Sequence, residues 1–278
     1  MAGVLVLTAA AGVPDAAAET VAGRVTRLAP SAIEIVLDAP LPAGFAVPGM
    51  DANVVPVDGR RKQLLIADMD STIISVECID ELADFAGVKA EVAAITERAM
   101  RGELDFEAAL DARVALVKGL PESALAECYA ERVRLNPGAR TLVRTMAALG
   151  AETALVSGGF TYFTARVATE AGFAHNQANT LLIEDGKLTG QAARPILGRA
   201  AKLTALEAMC KERAISVADA IAVGDGANDL DMVRAAGLGV AYHAKPALAA
   251  EADARLEHSD LTALLALQGI AASEWVTD

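Results

Sequence analysis

Residues 64–72 read Leu64-Leu65-Ile66-Ala67-Asp68-Met69-Asp70-Ser71-Thr72. An unbroken apolar run that stops at a carboxylate is the pattern of a short strand covered on both faces, as in a parallel sheet. In extended backbone, side chains two residues apart point the same way, so Asp68 and Asp70 can face one pocket beyond the end of that strand. Open α/β sheets bind ligands there, outside the C-terminal ends of their strands. An ionised carboxylate is a ready nucleophile. A second one beside it can hold a proton, because close like charges raise one of the two pKa values. An Asp-x-Asp pair taken alone is more often a polar loop capping the next helix, so its meaning is decided by the rest of the chain.

Three further stretches repeat the theme. Gly224-Asp225-Gly226-Ala227-Asn228-Asp229 follows the apolar run Ala220–Val223. Its glycines permit a tight turn close to a ligand, and Asp225 and Asp229 with an Asn between them look like oxygen ligands for a hard cation such as Mg²⁺. Ser157-Gly158-Gly159 follows the strand-like Thr153–Val156, and a hydroxyl with free backbone N–H groups at a helix N-terminus makes an anion cradle. Lys202 lies early in the helical segment 200–213. Singly, these are a glycine turn, a strand-to-helix turn and a surface lysine. Together they place acids, a metal site, a phosphate cradle and a lysine at strand ends.

Working outward, residues 76–135 are helical in pattern, rich in Ala, Glu, Leu and Arg, and punctuated by Gly87, Gly102 and Gly119-Leu120-Pro121. Beyond Asn136-Pro137-Gly138 the chain alternates. A helix over 139–149 leads to the strand at Thr153–Val156, a helix follows the Ser-Gly-Gly turn, and Glu184-Asp185-Gly186-Lys187 reads as a hairpin. The helix over 200–213, the strand Ala220–Val223, the run Leu238–Ala241 and a helix near 260–268 complete the set. This alternation predicts an α/β fold: a Rossmann-like doubly wound parallel sheet, with a helical insertion after its first strand. Residues 1–62 read as a separate small α+β unit. It has a strand at Val4–Thr8, a helix over Pro14–Leu28, an alternating strand at Ala32–Asp38, and a short run Val54–Val57 before a polar linker. The expected division is 1–62, a core of 63–75 with 136–278, and the insertion 76–135.

Composition narrows the function. The 278 residues are 54% hydrophobic and 22% charged, enough for a sizeable core and incompatible with a wholly disordered chain. A net charge of −13 argues against a nucleic-acid partner, since that affinity comes from clustered Lys and Arg. Cys78, Cys128 and Cys210 are widely spaced without a Cys-x-x-Cys pair, which suggests neither a disulfide framework nor a zinc site. The apolar N-terminus lacks the basic start of a signal peptide, the first Lys or Arg being Arg24. No apolar run approaches the ~18–20 residues that span a bilayer. The expectation is a reduced, soluble, cytoplasmic protein with no membrane partner. His175, His243 and His258 share no metal-ligand spacing and read as structural or exposed, and Trp275 as a packing anchor in the tail.

Taken with their order, the four segments resemble the motifs of the haloacid dehalogenase phosphatase superfamily and, within it, the phosphoserine phosphatase family. The likeness covers about residues 63–270. It extends to stretches outside the general motifs, namely Glu77–Leu82, Thr96–Gly102, and Phe106 through Arg113 to Pro121. The resemblance implies that Asp68 attacks phosphorus to form an aspartyl-phosphate, and that Asp70 protonates the leaving seryl oxygen and then deprotonates water. It implies that Ser157, the Gly158 N–H and Lys202 hold the phosphoryl oxygens, and that Asp68, Asp225 and the Asp70 carbonyl ligate Mg²⁺ with Asp229 and Asn228 in support. It further implies that Glu77 meets the ammonium of L-phosphoserine and Arg113 its carboxylate, with Met100 and Phe106 as the apolar side of a cap formed by 76–135. The implied substrate is a small molecule and the implied reaction is the last step of serine biosynthesis.

Residues 1–62 lie outside this likeness. Their expected βαββ order resembles a shortened ACT-like unit, for which docking on the core and homodimerisation are both open. The alternative within the superfamily is a capped phosphatase or phosphotransferase acting on phosphohomoserine, phosphothreonine or phosphoethanolamine. A non-enzymatic serine sensor would need no nucleophile, and a phosphorelay receiver would be roughly half as long with its acceptor Asp on a later strand. The acidic cluster carries one more implication. Asp68, Asp70, Asp225 and Asp229 would repel a phosphate unless a divalent cation sat among them.

Overall fold

The structure is a computed structural model that describes residues 3–100 and 103–277, with the side chain of Met100 outside the described set. The chain opens with β1 (Gly3–Thr8), a 3₁₀ segment (Asp15–Thr20), β2 (Gly23–Ala29), β3 (Ala32–Leu37) and β4 (Asp51–Pro56). These four strands form an antiparallel sheet of order β2-β3-β1-β4. Alternation gives it two apolar faces. Leu5, Leu7, Ile33 and Ile35 are covered by Ala17 and by Leu41, Phe45 and Val47 of the loop before β4, whereas Val4, Val6, Ala32 and Val55 join the main core. The helix expected over 14–28 does not form. Gly23 starts a strand and Val25 and Thr26 are β-branched, and stiff χ1 torsions favour the pleated surface of β3 over a helix. Pairing with Val36, Ile35 and Glu34 decides the matter.

The rest of the chain builds the predicted sheet. In order come β5 (Leu64–Ala67), helices α1 (Cys78–Phe85), α2 (Lys89–Met100), α3 (Phe106–Leu116) and α4 (Ser123–Arg132), then α5 (Ala139–Ala148), β6 (Glu152–Phe160), α6 (Thr161–Ala171) and β7 (His175–Asn179). The hairpin β8 (Leu181–Glu184) and β9 (Lys187–Ala192) turns at Asp185 and Gly186, both with positive φ. There follow α7 (Arg199–Glu212), β10 (Ala220–Gly224), α8 (Leu230–Ala235), β11 (Leu238–Tyr242), α9 (Pro246–Ala249), β12 (Ala254–Leu256) and α10 (Ala263–Leu267). Six strands pair in parallel in the order β12-β11-β10-β5-β6-β7. Leu65 and Ala67 face α5, α6 and α10, while Leu64 and Ile66 face α7 and α8, so both faces are covered as the apolar run requires.

Helices α1–α4 leave and rejoin the core at one point. Ile74 bridges to Leu135, and Asn136 donates its side-chain amide to the Thr72 carbonyl at 2.8 Å. At the far side the insertion is held by the β8–β9 hairpin, where Gly119 N–H donates to Leu188 O at 2.8 Å and Glu122 N–H to Gly186 O at 2.9 Å. The N-terminal sheet docks edge to edge on β12. Asn53 donates to Arg255 O at 2.9 Å and accepts from Arg255 N–H at 2.8 Å, so a side-chain amide mimics a neighbouring strand. Buried Asp51 accepts from Glu257 N–H at 2.8 Å and from the Ser259 hydroxyl at 2.6 Å. The three cysteines are free and buried. No helix among the described residues is long and apolar enough to cross a membrane.

Candidate active site

Strand register brings the motifs together. Ala67 of β5 lies level with Val223 of β10 and Leu155 of β6, so Asp68, Asp225 and Ser157 emerge at the same end of the sheet. One Asp68 oxygen accepts from Met69 N–H and faces the Lys202 ammonium, each across 2.7 Å. The other accepts from the Asn228 amide at 3.2 Å. Lys202, 1% exposed, also donates to Asp229 Oδ1 at 2.6 Å. Burial works against its charge, yet Asp229 and Asp68 outweigh it and hold the ammonium above the usual lysine range.

Asp229 is fully buried, and its second oxygen accepts from the N–H groups of Asp225 and Gly226 at 3.2 and 3.1 Å. Burial, helped by the Asp68 charge, pushes its carboxyl up to about 7. The same two causes, in that order, push Asp225 up to about 6.

Asp70 is held at both oxygens. Oδ1 accepts from Cys78 N–H, the first residue of α1, at 2.9 Å, and Oδ2 accepts from the Ser157 hydroxyl at 3.0 Å. Burial first, then the charges of Glu77 and Asp68, raise its carboxyl to about 7. Between the two acids and α1 the chain turns sharply at Ser71, whose φ of 55° is left-handed, and the Ser71 hydroxyl donates to Glu77 Oε1 at 2.7 Å. Burial also raises Glu77, against that hydrogen bond. Ser157 Oγ accepts from Gly159 N–H at 2.8 Å. Glycine is required at 159, since a Cβ there would stand 2.7 Å from Asp70 Oδ2.

These groups floor a cavity of about 470 Å³ roofed by the helical insertion. It is lined by Asp68, Asp70 and Asp225 from the strand ends and by Glu77, Asp80, Phe106 and Arg113 from the insertion. Phe106 rests on two glycines, a Cβ on Gly158 falling 2.9 Å from its Cζ and one on Gly198 3.1 Å from its Cδ1. Arg113 donates through Nε to Ala109 O at 3.2 Å, and burial lowers its pKa against the pull of Asp80, Glu77 and Asp70. Met100 ends α2, and its side chain lies outside the described residues. The sequence-derived set is otherwise assembled in one place, with Lys202 beneath the floor.

Asp68, Asp225 and Asp229 each offer an oxygen, all within 4.8 Å of one another. Hard carboxylate oxygens suit Mg²⁺, so the residues present fit such an ion. Asp229 already spends its oxygens on Lys202 and two N–H groups, which suits support better than direct ligation.

Two residues of the site were not anticipated. Lys245 lines the cavity with its Nζ 3.6 Å from Asp225 Oδ2. It follows β11 and precedes Pro246 at the start of α9, and that place beyond a strand's C-terminal end is the signal that would have found it. Asn179 is 3% exposed, donates to the Gly158 and Leu197 carbonyls at 2.9 and 3.1 Å, and accepts from Leu197 N–H at 2.7 Å. It thereby ties the cradle to the start of α7, and nothing in the strand His175–Asn179 marks it.

Acid pairs, a Ser-Gly-Gly turn and a buried lysine at the ends of a parallel sheet covered by a helical insertion define a class. The chain belongs to the haloacid dehalogenase-like hydrolases, whose family model matches residues 65–234. Within that class it falls in the phosphoserine phosphatase family, and it is a phosphoric monoester hydrolase. A phosphoserine phosphatase from Polaromonas sp. is 47% identical over 227 residues, covering 79% of this chain and 96% of the relative. One from Streptomyces coelicolor is 46% identical over 228 residues, and there the chain spans 55% of the relative's length. The crystal structure of a probable phosphoserine phosphatase from Vibrio cholerae, in unliganded form, aligns with a TM-score of 0.82 and 33% identity, covering 98% of this chain and 88% of that one.

Proposed function

We propose that the protein hydrolyses L-phosphoserine to L-serine and phosphate through an aspartyl-phosphate, as the last step of serine biosynthesis in the cytoplasm. The observation that carries the substrate is the pairing of Glu77 and Arg113 on the roof of the cavity that holds Asp68. A phosphorylated amino acid has an ammonium and a carboxylate, and the roof offers groups of both signs. Arginine's planar fork suits a carboxylate.

In this reading the core of 63–75 and 136–278 does the chemistry and the insertion 76–135 is the cap. Asp68 attacks phosphorus and the ester oxygen departs with the proton of Asp70. A carboxyl raised to about 7 is protonated in part near neutral pH, which suits a group that must first give a proton and then take one from water. The Ser157 hydroxyl, Gly158 N–H and Lys202 ammonium bind the phosphoryl oxygens where charge builds up. Asp68, Asp225 and the Asp70 carbonyl would hold Mg²⁺, with Asp229 and Asn228 supporting them. When bound, that ion supplies positive charge against the phosphoryl oxygens. Phe106 closes the apolar side and excludes water.

Phosphate release from L-phosphoserine, L-phosphothreonine, phosphohomoserine and phosphoethanolamine, with Mg²⁺ and with chelator, tests the proposal. L-Phosphoserine should be preferred, and chelator should abolish release. Preference for an ester without a carboxylate would overturn the substrate assignment.

A further inference from the structure

We propose that Lys245 is a substrate-binding residue that meets the phosphoryl group at the mouth of the cavity, a second cation for that group besides Lys202. The proposal rests on the phosphatase reading above. Around the cavity stand the carboxylates of Asp68, Asp70, Glu77, Asp80 and Asp225, against the cations Arg113 and Lys245. Lys202 is enclosed beneath them and already shared between Asp68 and Asp229. Without a divalent cation a phosphate ester would approach a strongly acidic opening on a chain of net charge −13, and a lysine at that opening adds to what the cation offsets.

Among the described residues two cations line the cavity, and Lys245 is close enough to the Glu77 carboxylate to act on it. Arg113 sits on the cap side, where the charges that act on it are Asp80, Glu77 and Asp70. Lys245 sits on the core side at the end of β11. Its backbone N–H donates to the Asp225 carbonyl at 2.8 Å, which fixes its Cα beside the carboxylate cluster of Asp68, Asp225 and Asp229. Its side chain is less enclosed. It is 53% exposed, and its ammonium stands 3.6 Å from Asp225 Oδ2, long for an ion pair and open to water. Such a contact holds a lysine weakly, and the four-carbon stem lets the ammonium swing toward an anion above Asp68. A lysine present only to neutralise Asp225 would add to stability. One that meets the phosphoryl group governs the binding of every phosphate, whatever the rest of the ester carries.

The experiment compares wild type with Lys245→Gln and Lys245→Arg, using L-phosphoserine and phosphoethanolamine as substrates and inorganic phosphate as inhibitor, at low and high salt with Mg²⁺ present. Lys245→Gln is expected to raise both KM values and the inhibition constant of phosphate by about tenfold, with the loss falling on KM rather than kcat and with a flatter salt dependence. Lys245→Arg should recover most of it. Unchanged KM and phosphate inhibition in Lys245→Gln would overturn the proposal. So would a loss confined to L-phosphoserine, which would assign Lys245 to the carboxylate instead. If wild type hydrolysed neither ester, the phosphatase reading itself would have failed. Calorimetric binding of inorganic phosphate would then decide for Lys245, with weaker binding by Lys245→Gln supporting its role and equal binding ending it.

Discussion

The floor and the roof of the cavity are built by opposite rules. On the floor and just beneath it, Asp68, Ser157, Lys202 and Asp229 are at most 3% exposed, and each has at least two polar partners within the protein. On the roof, Glu77, Asp80, Phe106 and Arg113 are half-buried. Among the described residues, the hydrogen bond Arg113 makes runs to its own helix. Fixed charges in a dry setting do the electrostatic work of a reaction without reorganising, whereas selectivity among esters needs groups that can yield to the ligand. The lesson is a division of costs. A change on the floor should damage both stability and catalysis, and a change on the roof should damage selectivity alone.

The most severe test of the floor is Asp68→Asn, expected to cut phosphate release by a factor on the order of 10⁴ or more, as losing a nucleophile does elsewhere. Substantial turnover would place the nucleophile elsewhere. Lys202→Met comes next. It leaves Asp68 and Asp229 buried against each other without their counter-charge, and breaking a buried ion pair costs about 3–5 kcal/mol. Denaturant unfolding should show that loss, and wild-type stability would dissolve the contrast between floor and roof.

On the roof, Arg113→Ala should lower kcat/KM for L-phosphoserine by about a hundredfold and for phosphoethanolamine by less than about threefold, the scale of one charged hydrogen-bonding partner. Its melting temperature should stay close to that of wild type. Equal losses on both esters would remove Arg113 from recognition.

The smallest effect concerns protons and metal. Burial raises Asp70 and Asp229 from 3.8 to about 7 and Asp225 to about 6, so the metal-free fold binds protons that the unfolded chain releases. Their contribution to stability is full at low pH and is lost as pH rises toward those values. Mg²⁺ competes with the protons, so its stabilisation in thermal melts should be larger near about pH 8 than near about pH 5. A larger Mg²⁺ shift at the acidic end would refute the cluster's role.

The floor was far more legible in the sequence than the roof or the N-terminal unit. Asp68, Asp225 and Ser157 each follow a short apolar run, and parallel register alone is enough to collect the ends of such runs. Phe106 and Arg113 sit on a helix, and Glu77 just before one, in stretches that read as ordinary solvated surface, so family likeness rather than periodicity pointed to them. Residues 14–28 misled because their alanines favour a helix locally, while the partner that makes Gly23–Ala29 a strand lies in β3. Asn179 was silent for the same reason in reverse. Its partners Gly158 and Leu197 are each about twenty residues away, and no local pattern encodes them.

The amide of Asn53 has a consequence for the molecule in a crowded solution. Strand β12 is the outermost of the six parallel strands, and without the N-terminal sheet its backbone donors and acceptors along Arg255 would stand open. Bare strand edges recruit other chains. In this chain the Asn53 amide takes up the donor and acceptor of Arg255, so that edge is already occupied and is not offered to a second molecule.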